Sequence, residues 1–340
     1  MLFALYCLIK TSFCQENNYS RNNRSLRICF YNLENLFDYK NDPLKNDDIF
    51  TPDGENHWTK FRYEQKINHI AKVIIALGEW ELPDIVGVCE IENDTVIKDL
   101  LYNSPLQKQK YQYIHYESPD RRGIDVALLY RSDKFKVIFS QAIPFVFPKD
   151  SNFKTRDILY VKGIVPHCQD TLHLFVNHWP SRYGGYAQTI DFRNYAAIIL
   201  RNYIDSILTI SPTAKILCMG DFNDYPYNES IIKYLNAVAP ENLQNNSLVH
   251  AMYPYFKQNN IGTHKYQSDW GILDQFMHTQ NFYNSSSGFC IKGTGKILIS
   301  NFLLIPDEQN MGNKPFRTYD GMKYSGGFSD HLPIYIDINY

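Results

Sequence analysis

The chain has 340 residues, of which 44% are hydrophobic and 21% are charged, and these values are ordinary for a globular protein. Its formal net charge of −2 excludes an overall electrostatic attraction to nucleic acid or to anionic membranes. A phosphate-bearing ligand would therefore need a local basic patch or bound cations. The composition does not shift abruptly and contains no Pro/Gly/Ser-rich linker, so we predict one domain over residues 26–340.

An apolar run from Leu2 to Ile9 lies near the start of the chain. The run is too short to span a membrane, but it is typical of a secretory signal, and small residues before Gln15 fit a cleavage site. The lack of Lys or Arg before the run and the presence of Lys10 after it argue against a signal. We predict that residues 1–15 are a signal peptide of a secreted or periplasmic protein, with a cytoplasmic location as the alternative and no transmembrane segment.

The seven Cys include no Cys-x-x-Cys pair, so we expect neither a zinc motif nor a redox motif. Cys29, Cys89 and Cys218 lie inside apolar runs and are interpreted as small buried hydrophobic residues. Whether Cys168 and Cys290 form a disulfide is left open.

The hydrophobic pattern predicts the order of helices and strands along the chain. Helical spacing of apolar residues predicts helices over 62–77, 95–102 and 190–208. Apolar, β-branched and aromatic runs predict strands over 26–31, 84–89, 111–116, 124–130, 135–140, 158–165, 171–177, 216–219, 272–278, 297–304 and 332–338. Polar residues predict long loops over 38–60 and 305–328. This order indicates an α/β fold of two packed mixed sheets with helices outside.

Residues of metal-ligand type recur where the predicted apolar strands end. The most informative example is Gly220 to Asp224, which follows a buried strand and brings together two carboxylates and an amide. Taken singly, such residues are more often turn or cap residues. Their recurrence at several strand ends favours a shared site instead, and the set is Asn32, Glu34, Glu90, Asp221, Asn223, Asp330 and His331.

Carboxylates and amides without Cys select a hard cation. Mg²⁺ fits best, because it binds through one or two carboxylates and completes its shell with water and substrate phosphate. Mn²⁺ would substitute for it. Ca²⁺ is the weaker candidate, because the sequence contains no EF-hand loop.

Two histidines and one aspartate have surroundings that indicate chemistry. His178 follows an apolar strand and opens a loop with hydroxyls, glycines and Arg182, as phosphate binding requires. Asp274 lies in an apolar segment, where an unpaired carboxylate is costly, so we expect it to pair with a histidine. His173, by contrast, lies within a strand and is interpreted as structural.

Three motifs carry a resemblance to a known family, and they span residues 31–38, 122–130 and 177–182. Together with the strand-end residues, they resemble the endonuclease/exonuclease/phosphatase superfamily, which includes deoxyribonucleases, abasic-site endonucleases, sphingomyelinases and inositol polyphosphate phosphatases. The residues of these three motifs are similar to those of a bacterial endonuclease-like branch. The resemblance implies a four-layer αββα sandwich of two mixed β-sheets flanked by helices, and a metal-dependent phosphoester hydrolase.

Matched position by position, the resemblance implies that Asn32, Glu90 and Asp330 bind the metal and that Glu34 lies near it. It also implies that Asp221 and Asn223 position the attacking water and hold the scissile phosphate.

The same matching implies roles for the histidines. His331 would be catalytic and oriented by Asp274, and His178 would be the second histidine of the deoxyribonuclease and sphingomyelinase branches. Asp125 is the candidate for orienting His178. Arg122 and Arg182 are predicted to contact substrate.

Three functions remain open at this point. The leading hypothesis is a nuclease acting on DNA or RNA, and its local basic residues would be Arg121, Arg122, Arg131, Arg156, Arg182 and Arg317. The second hypothesis is a phosphohydrolase of lipid head groups or of sugar or inositol phosphates. For a lipid substrate, residues 145–147 could enter a membrane, although a buried strand is the preferred interpretation. The third is a non-catalytic binding module, which the complete set of polar residues disfavours. No obligate protein partner is inferred.

Overall fold

The computed structural model describes residues 25–258, 260–283, 289–291 and 293–340. The predicted signal peptide therefore lies outside the described residues. None of the helices in the described part of the chain is long and apolar enough to cross a membrane.

The strands, numbered in chain order, are β1 Ser25–Leu36, β2 Ile85–Ile91, β3 Tyr111–His115, β4 Asp125–Arg131, β5 Lys136–Ile143, β6 Ile158–Val165, β7 Asp170–His178, β8 Lys215–Asp221, β9 Ala237–Val238, β10 Leu248–His250, β11 His264–Tyr266, β12 Asp269–Gly271, β13 Asp274–Thr279, β14 Lys296–Ile297, β15 Leu304–Pro306, β16 Asn313–Pro315, β17 Tyr319–Asp320, β18 Lys323–Tyr324 and β19 Ile334–Asn339.

The α-helices are α1 Lys60–Gly78, α2 Asp94–Tyr102 and α3 Tyr186–Ile210. Short 3₁₀ segments lie at Asp48–Phe50, Pro105–Gln109, Pro240–Asn242, Tyr253–Tyr255, Gln280–Phe282 and Asn301–Leu303, and one π turn lies at Ser230–Tyr234.

Most of the strands form two large mixed sheets. The first sheet has the order β14-β19-β1-β2-β4-β3, and the second has the order β5-β6-β7-β8-β13-β10-β9. In each sheet the central pair is parallel, β1 with β2 and β7 with β8, and the flanking strands of these pairs run antiparallel to them. In each sheet, the carboxyl ends of the two central parallel strands therefore lie at the same edge.

The sheets face each other and each carries a helix on its outer side. Gly87 of β2 lies against Met219 of β8, and an added Cβ at Gly87 would come within 2.9 Å of the Met219 sulfur. Apolar residues of α1, such as Ile70, join the cluster between the sheets and around the first sheet. Leu200 of α3 packs in a second cluster on the outer face of the second sheet. The layers are helix, sheet, sheet and helix, so the predicted αββα sandwich is confirmed.

Two predicted elements differ from the observed ones. The strand predicted over 297–304 is interrupted by the 3₁₀ segment Asn301–Leu303, because polar Ser300 and Asn301 break the apolar run. The loop predicted over 305–328 contains the hairpin β17–β18 and most of the hairpin β15–β16. These strands have two or three residues each, which is too few for an alternating pattern to be visible in the sequence.

Residues 145–147 are not a strand, which corrects the preferred interpretation, but two of them are buried. Phe145 and Phe147 have exposed fractions of 4% and 7%, and Phe147 packs on Phe192 and Tyr195 of α3. Burial of both rings beneath the helix leaves this segment unsuited to membrane entry.

Two further predictions concern a histidine and a disulfide. His173 is buried and its Nδ1 lies 2.7 Å from the Tyr160 hydroxyl, which confirms its structural interpretation. Cys168 and Cys290 both carry free thiols, so the disulfide that the sequence left open is not formed.

Candidate active site

The second sheet brings three of the predicted residues side by side through its strand register. His178 ends β7, Asp221 ends β8 and Asp274 begins β13. In the ladder, His178 pairs with Asp221 across the parallel strands, and Asp221 pairs with Asp274 across the antiparallel strands. Residues 178, 221 and 274 are thus placed by backbone hydrogen bonding rather than by flexible loops.

The first sheet supplies the opposite side of the cleft. The Asn32 Nδ2 atom donates to Asp221 Oδ2 at 3.1 Å, and Glu90 Oε1 lies 3.6 Å from His178 Nε2. Both pairs join residues of one sheet to residues of the other. The site therefore lies where the two sheets meet at their common edge.

The backbone is irregular where the first sheet presents these residues. Glu34, Asn35 and Glu90 adopt positive φ values of 51°, 53° and 60°, which are uncommon for residues other than glycine. The pairing of β1 with β2 shifts register between Asn32 and Leu36, as at a β-bulge. The Asn35 N–H then donates to Glu90 Oε2 at 2.8 Å. The irregularity fixes the Glu90 carboxylate and leaves Oε1 directed towards His178.

Asp274 and His331 form a buried pair, as the sequence predicted. Asp274 Oδ2 lies 2.7 Å from His331 Nδ1, and His331 Nε2 lies 3.9 Å from Asp221 Oδ2. Burial disfavours a charged His331 ring, but the carboxylates of Asp274 and Asp221 outweigh it and raise the pKa of His331 well above its usual value. Burial raises the pKa of Asp221 to about 7, against the opposing charge of His331.

His178 is the less charged of the two site histidines. Its side chain is 2% exposed, and burial, together with Arg156 and Arg122, lowers its pKa well below the usual value. Its Nδ1 atom is buried and has no hydrogen-bond partner among the described residues. A neutral imidazole in this position can donate one N–H to a phosphoryl oxygen.

The prediction that Asp125 orients His178 is wrong. Asp125 Oδ2 lies 3.0 Å from His115 Nε2, and Asp125 Oδ1 accepts from the Ser118 N–H. The cause is the strand register, because Asp125 begins β4 opposite Ile91 and beside the β3 strand that ends at His115. Both carboxylate oxygens are used there.

The predicted metal ligands differ in how far they are already bonded. Glu34 Oε1 accepts from Arg317, and Glu34 Oε2 accepts from the Thr318 N–H at 2.7 Å and lies 3.5 Å from Lys66 Nζ. Glu90 accepts a hydrogen bond at Oε2 from Asn35, and Asp330 accepts one at Oδ2 from Arg317. Among the described residues nothing donates to Glu90 Oε1 or Asp330 Oδ1, so these two oxygens are the better-placed metal ligands. These hard oxygen donors, with the Asn32 amide, fit a divalent cation of the Mg²⁺ type. Direct ligation by Glu34 stays a prediction.

His264 belongs to this site and was missed in the sequence. Its ring centroid lies 4.8 Å from that of His331, and the two residues form an isolated β-bridge. One ligand-type atom from each of His264, Asp330 and His331 lies within 4.8 Å of the others. Burial lowers the pKa of His264 to about 4. The strand β11 has three residues, which are too few to show a hydrophobic period. The only local signal for His264 in the sequence is its position directly after Thr263 in a polar segment.

The predicted substrate-contacting arginines have different surroundings. The Arg182 Nε donates to the Asn223 carbonyl at 2.8 Å, and one of its terminal nitrogens lies 2.9 Å from Asp224 Oδ1. Arg182 thus supports the loop after β8, and its contact with substrate stays a prediction. Asn223 is held in turn by the Trp179 carbonyl, 3.0 Å from its Nδ2. Arg122 has an exposed side chain and stays a candidate for substrate contact.

Acid–base residues placed beside a set of hard oxygen ligands define a phosphoester hydrolase whose action depends on a divalent metal. The sequence agrees with this class, since the chain belongs to the endonuclease/exonuclease/phosphatase family, whose model matches residues 27–340. The resemblance read from the sequence is thereby confirmed. No curated protein matches the chain by sequence.

Solved structures show the same fold at low sequence identity. A Bacteroides thetaiotaomicron endonuclease/exonuclease/phosphatase family protein is 17% identical with a TM-score of 0.56, covering 92% of this chain and 97% of its own. A mannosyl-6-phosphatase from the same bacterium is 15% identical with a TM-score of 0.56, covering 93% and 100%. The human nocturnin catalytic domain with bound sulfate is 17% identical with a TM-score of 0.54, covering 93% and 94%.

Proposed function

We propose that this protein is a Mg²⁺-dependent nuclease that hydrolyses phosphodiester bonds of DNA or RNA by in-line attack of water. The observation that carries the proposal is the meeting of His178, Asp221 and the Asp274–His331 pair of one sheet edge with Glu90 of the facing sheet. A cation held by Asn32, Glu90 and Asp330 would supply charge stabilisation at the phosphoryl oxygens. The family membership supports the same chemistry.

The protein's own groups have complementary tasks in this proposal. Asp221 is placed to accept the proton of the attacking water, and Asn223 N–H holds Asp221 Oδ1 at 2.9 Å so that Oδ2 faces the cleft. His331, aligned by Asp274, and His178 donate hydrogen bonds to the phosphoryl oxygens, where negative charge develops. Their donors come from a rigid sheet edge, so little reorganisation is needed during the reaction.

A phosphohydrolase of sugar or inositol phosphates or of lipid head groups is the second candidate, and the arginines favour it. Arg156 pairs with Asp120, Arg182 with Asp224, and Arg317 with Glu34 and Asp330. Arg131 lies at the far end of β4 from the site. Of the six arginines predicted to attract nucleic acid, only Arg121 and Arg122 are left, and two residues do not form a long cationic track. A solved structure of similar fold is a mannosyl-6-phosphatase.

A substrate panel with metal rescue separates the two candidates. We expect the chelated protein to be inactive and Mg²⁺ to restore plasmid nicking and oligonucleotide cleavage, with Glu90→Ala as the inactive control. Release of inorganic phosphate from sugar phosphates, or of phosphocholine from lipid, without cleavage of DNA or RNA would instead assign the second function. Hydrolysis of none of these substrates in Mg²⁺ or Mn²⁺ would contradict both.

A further inference from the structure

A cavity lies next to the candidate active site, between the segment before α1 and the hairpin β17–β18. Its volume is about 410 Å³, which lies within the usual range for pockets that bind small organic ligands. Its walls include Phe50, Trp58 and Tyr319, and Met322, which is 64% exposed, lies at its rim. Nothing in the catalytic arrangement described above uses this space.

The cavity adjoins the reacting centre through two residues that line it. Asn35 donates its backbone N–H to Glu90 at 2.8 Å, and Arg317 bridges Glu34 and Asp330 at 3.2 Å and 3.1 Å. A group covalently attached to a phosphate at Glu90 and Asp330 could therefore extend into the cavity without leaving the protein surface. The position suits one part of the substrate rather than a separate ligand.

The charges in the cavity wall compensate each other. Glu34 is bonded to Arg317 and Thr318 and is close to Lys66, and Lys66 also donates to the Phe328 carbonyl at 2.6 Å. Each cation is thus committed to a carboxylate or a carbonyl. A second phosphate or another anion would find no unpaired cation here, so the occupant is an uncharged group.

Phe50 and Tyr319 supply the accessible aromatic surface of the cavity, and both pack on Trp58, which is 1% exposed and lies behind them. The Trp58 ring centroid lies 6.3 Å from that of Phe50 and 6.0 Å from that of Tyr319. Trp58 Nε1 donates to the Phe37 carbonyl at 2.9 Å, and the Tyr319 hydroxyl donates to the Asn56 carbonyl at 2.8 Å. The planes of the Phe50 and Tyr319 rings are inclined by 88° and 50° to that of Trp58, so a ligand ring packs on one of them at a time. Because both rings are held in place, little entropy is lost when a ligand ring packs there.

Two amide side chains complete the lining. Asn35 and Asn56 form hydrogen bonds through their backbone atoms, and among the described residues their side-chain amides have no partner. Each offers a donor and an acceptor in one plane, which is the pairing that asparagine makes with the edge of a nucleobase. An acyl chain could satisfy neither amide.

We propose that this cavity binds the base of a nucleotide adjoining the scissile phosphate, an inference that rests on the proposed nuclease function. Phe50 and Tyr319 contact the apolar parts of the base, and Asn35 and Asn56 bind its polar edge. The cavity then sets substrate preference, while the phosphoryl group is processed at the neighbouring sheet edge.

The test compares cleavage of a short oligonucleotide with cleavage of the same oligonucleotide carrying abasic residues on both sides of the scissile bond. We expect Asn56→Ala to lower kcat/KM about tenfold for the base-bearing oligonucleotide and to leave the abasic one unchanged. Asn56 makes no side-chain hydrogen bond within the described fold, so the variant should fold normally. Asn245→Ala, at an exposed site outside the cavity, is the matched control.

A binding measurement tests ligand binding in the cavity independently of substrate cleavage. Trp58 packs directly behind Phe50 and Tyr319, so a nucleoside monophosphate bound on these rings should change tryptophan fluorescence in wild type. About tenfold more nucleotide should be needed in Asn56→Ala. Equal effects of Asn56→Ala on both oligonucleotides, or equal binding of ribose 5-phosphate and the nucleotide, would overturn the cavity assignment. If no oligonucleotide is cleaved, the proposed function fails and the nucleotide titration still decides the cavity.

Discussion

The pairing of Asp274 with His331 explains why a carboxylate stands in an apolar segment. Asp274 is 1% exposed, and a carboxylate at this depth is costly unless it is hydrogen-bonded. The Asp274 carboxylate is held by His331 Nδ1, and the Asp274 backbone N–H donates to Thr263 Oγ1 at 3.0 Å. The pair holds His331 Nε2 towards Asp221, so one buried contact sets the direction of a reactive atom.

We expect Asp274→Asn to lower kcat by about 10² to 10⁴, because an amide cannot favour the same tautomer or stabilise a charged His331. The pKa of His331 should fall at the same time, since the Asp274 carboxylate raises it, and the pH–rate profile should shift to lower pH accordingly. Steady-state kinetics across pH, with circular dichroism as a check on folding, measures both effects. Asp269→Asn at an exposed position is the control. Wild-type kcat in a folded Asp274→Asn protein would remove Asp274 from this role.

At the scale of the element, the β7–β8 pair places His178 beside Asp221. The two strands approach closely just before the site, because Gly220 lies opposite Asn177 in the parallel ladder. A Cβ added at Gly220 would lie 2.3 Å from the Asn177 carbonyl oxygen. Glycine is therefore required for the spacing of the strands, and the Gly-Asp order in the sequence is a packing requirement as well as a turn signal.

We expect Gly220→Ala to destabilise the protein by about 1–3 kcal/mol, because the backbone must separate to admit the methyl group. Activity should fall further than stability explains, since Asp221 and His178 move apart with the strands. Urea denaturation and specific activity of the folded fraction provide the two measurements. Gly293→Ala is the control, because no atom lies within 4 Å of its added Cβ. Equal stability and activity of the two variants would contradict the packing argument.

At the scale of the whole molecule, two buried histidines connect packing with pH. His250 and His278 are 0% and 1% exposed, and burial lowers the pKa of each to about 4. In the unfolded chain their value returns to about 6.5. The unfolded state therefore binds more protons between these two pH values, so the free energy of unfolding falls as the pH falls through this window.

We expect each of these histidines to lower the free energy of unfolding by roughly 1–3 kcal/mol as the pH falls from 6.5 to 4. Urea denaturation at a series of pH values measures it. His278→Gln should reduce the slope, because its side chain cannot take up a proton, whereas His167→Gln at an exposed position is the matched control. An unchanged slope in His278→Gln would assign the pH dependence to other groups.

The sequence predicted much of this molecule because the informative signals are local. A strand such as 158–165 is visible from its β-branched and aromatic residues and is observed as Ile158–Val165. The residues that follow such strands are visible for the same reason. Short hairpins such as β17–β18 were missed, because two residues a side show no period and are stabilised by their tertiary surroundings.

By itself, the sequence determined the chemistry of the site, since carboxylates, amides and histidines at strand ends carry their donors and charges wherever the chain places them. Only the tertiary structure decided which partner each one has. Asp125 lies against His115 rather than His178, Arg182 supports the loop of Asn223, and the cavity beside Glu34 exists only where two distant segments meet. The physical reason is range, because hydrogen bonds and ion pairs act over a few ångströms between residues that are far apart in the chain.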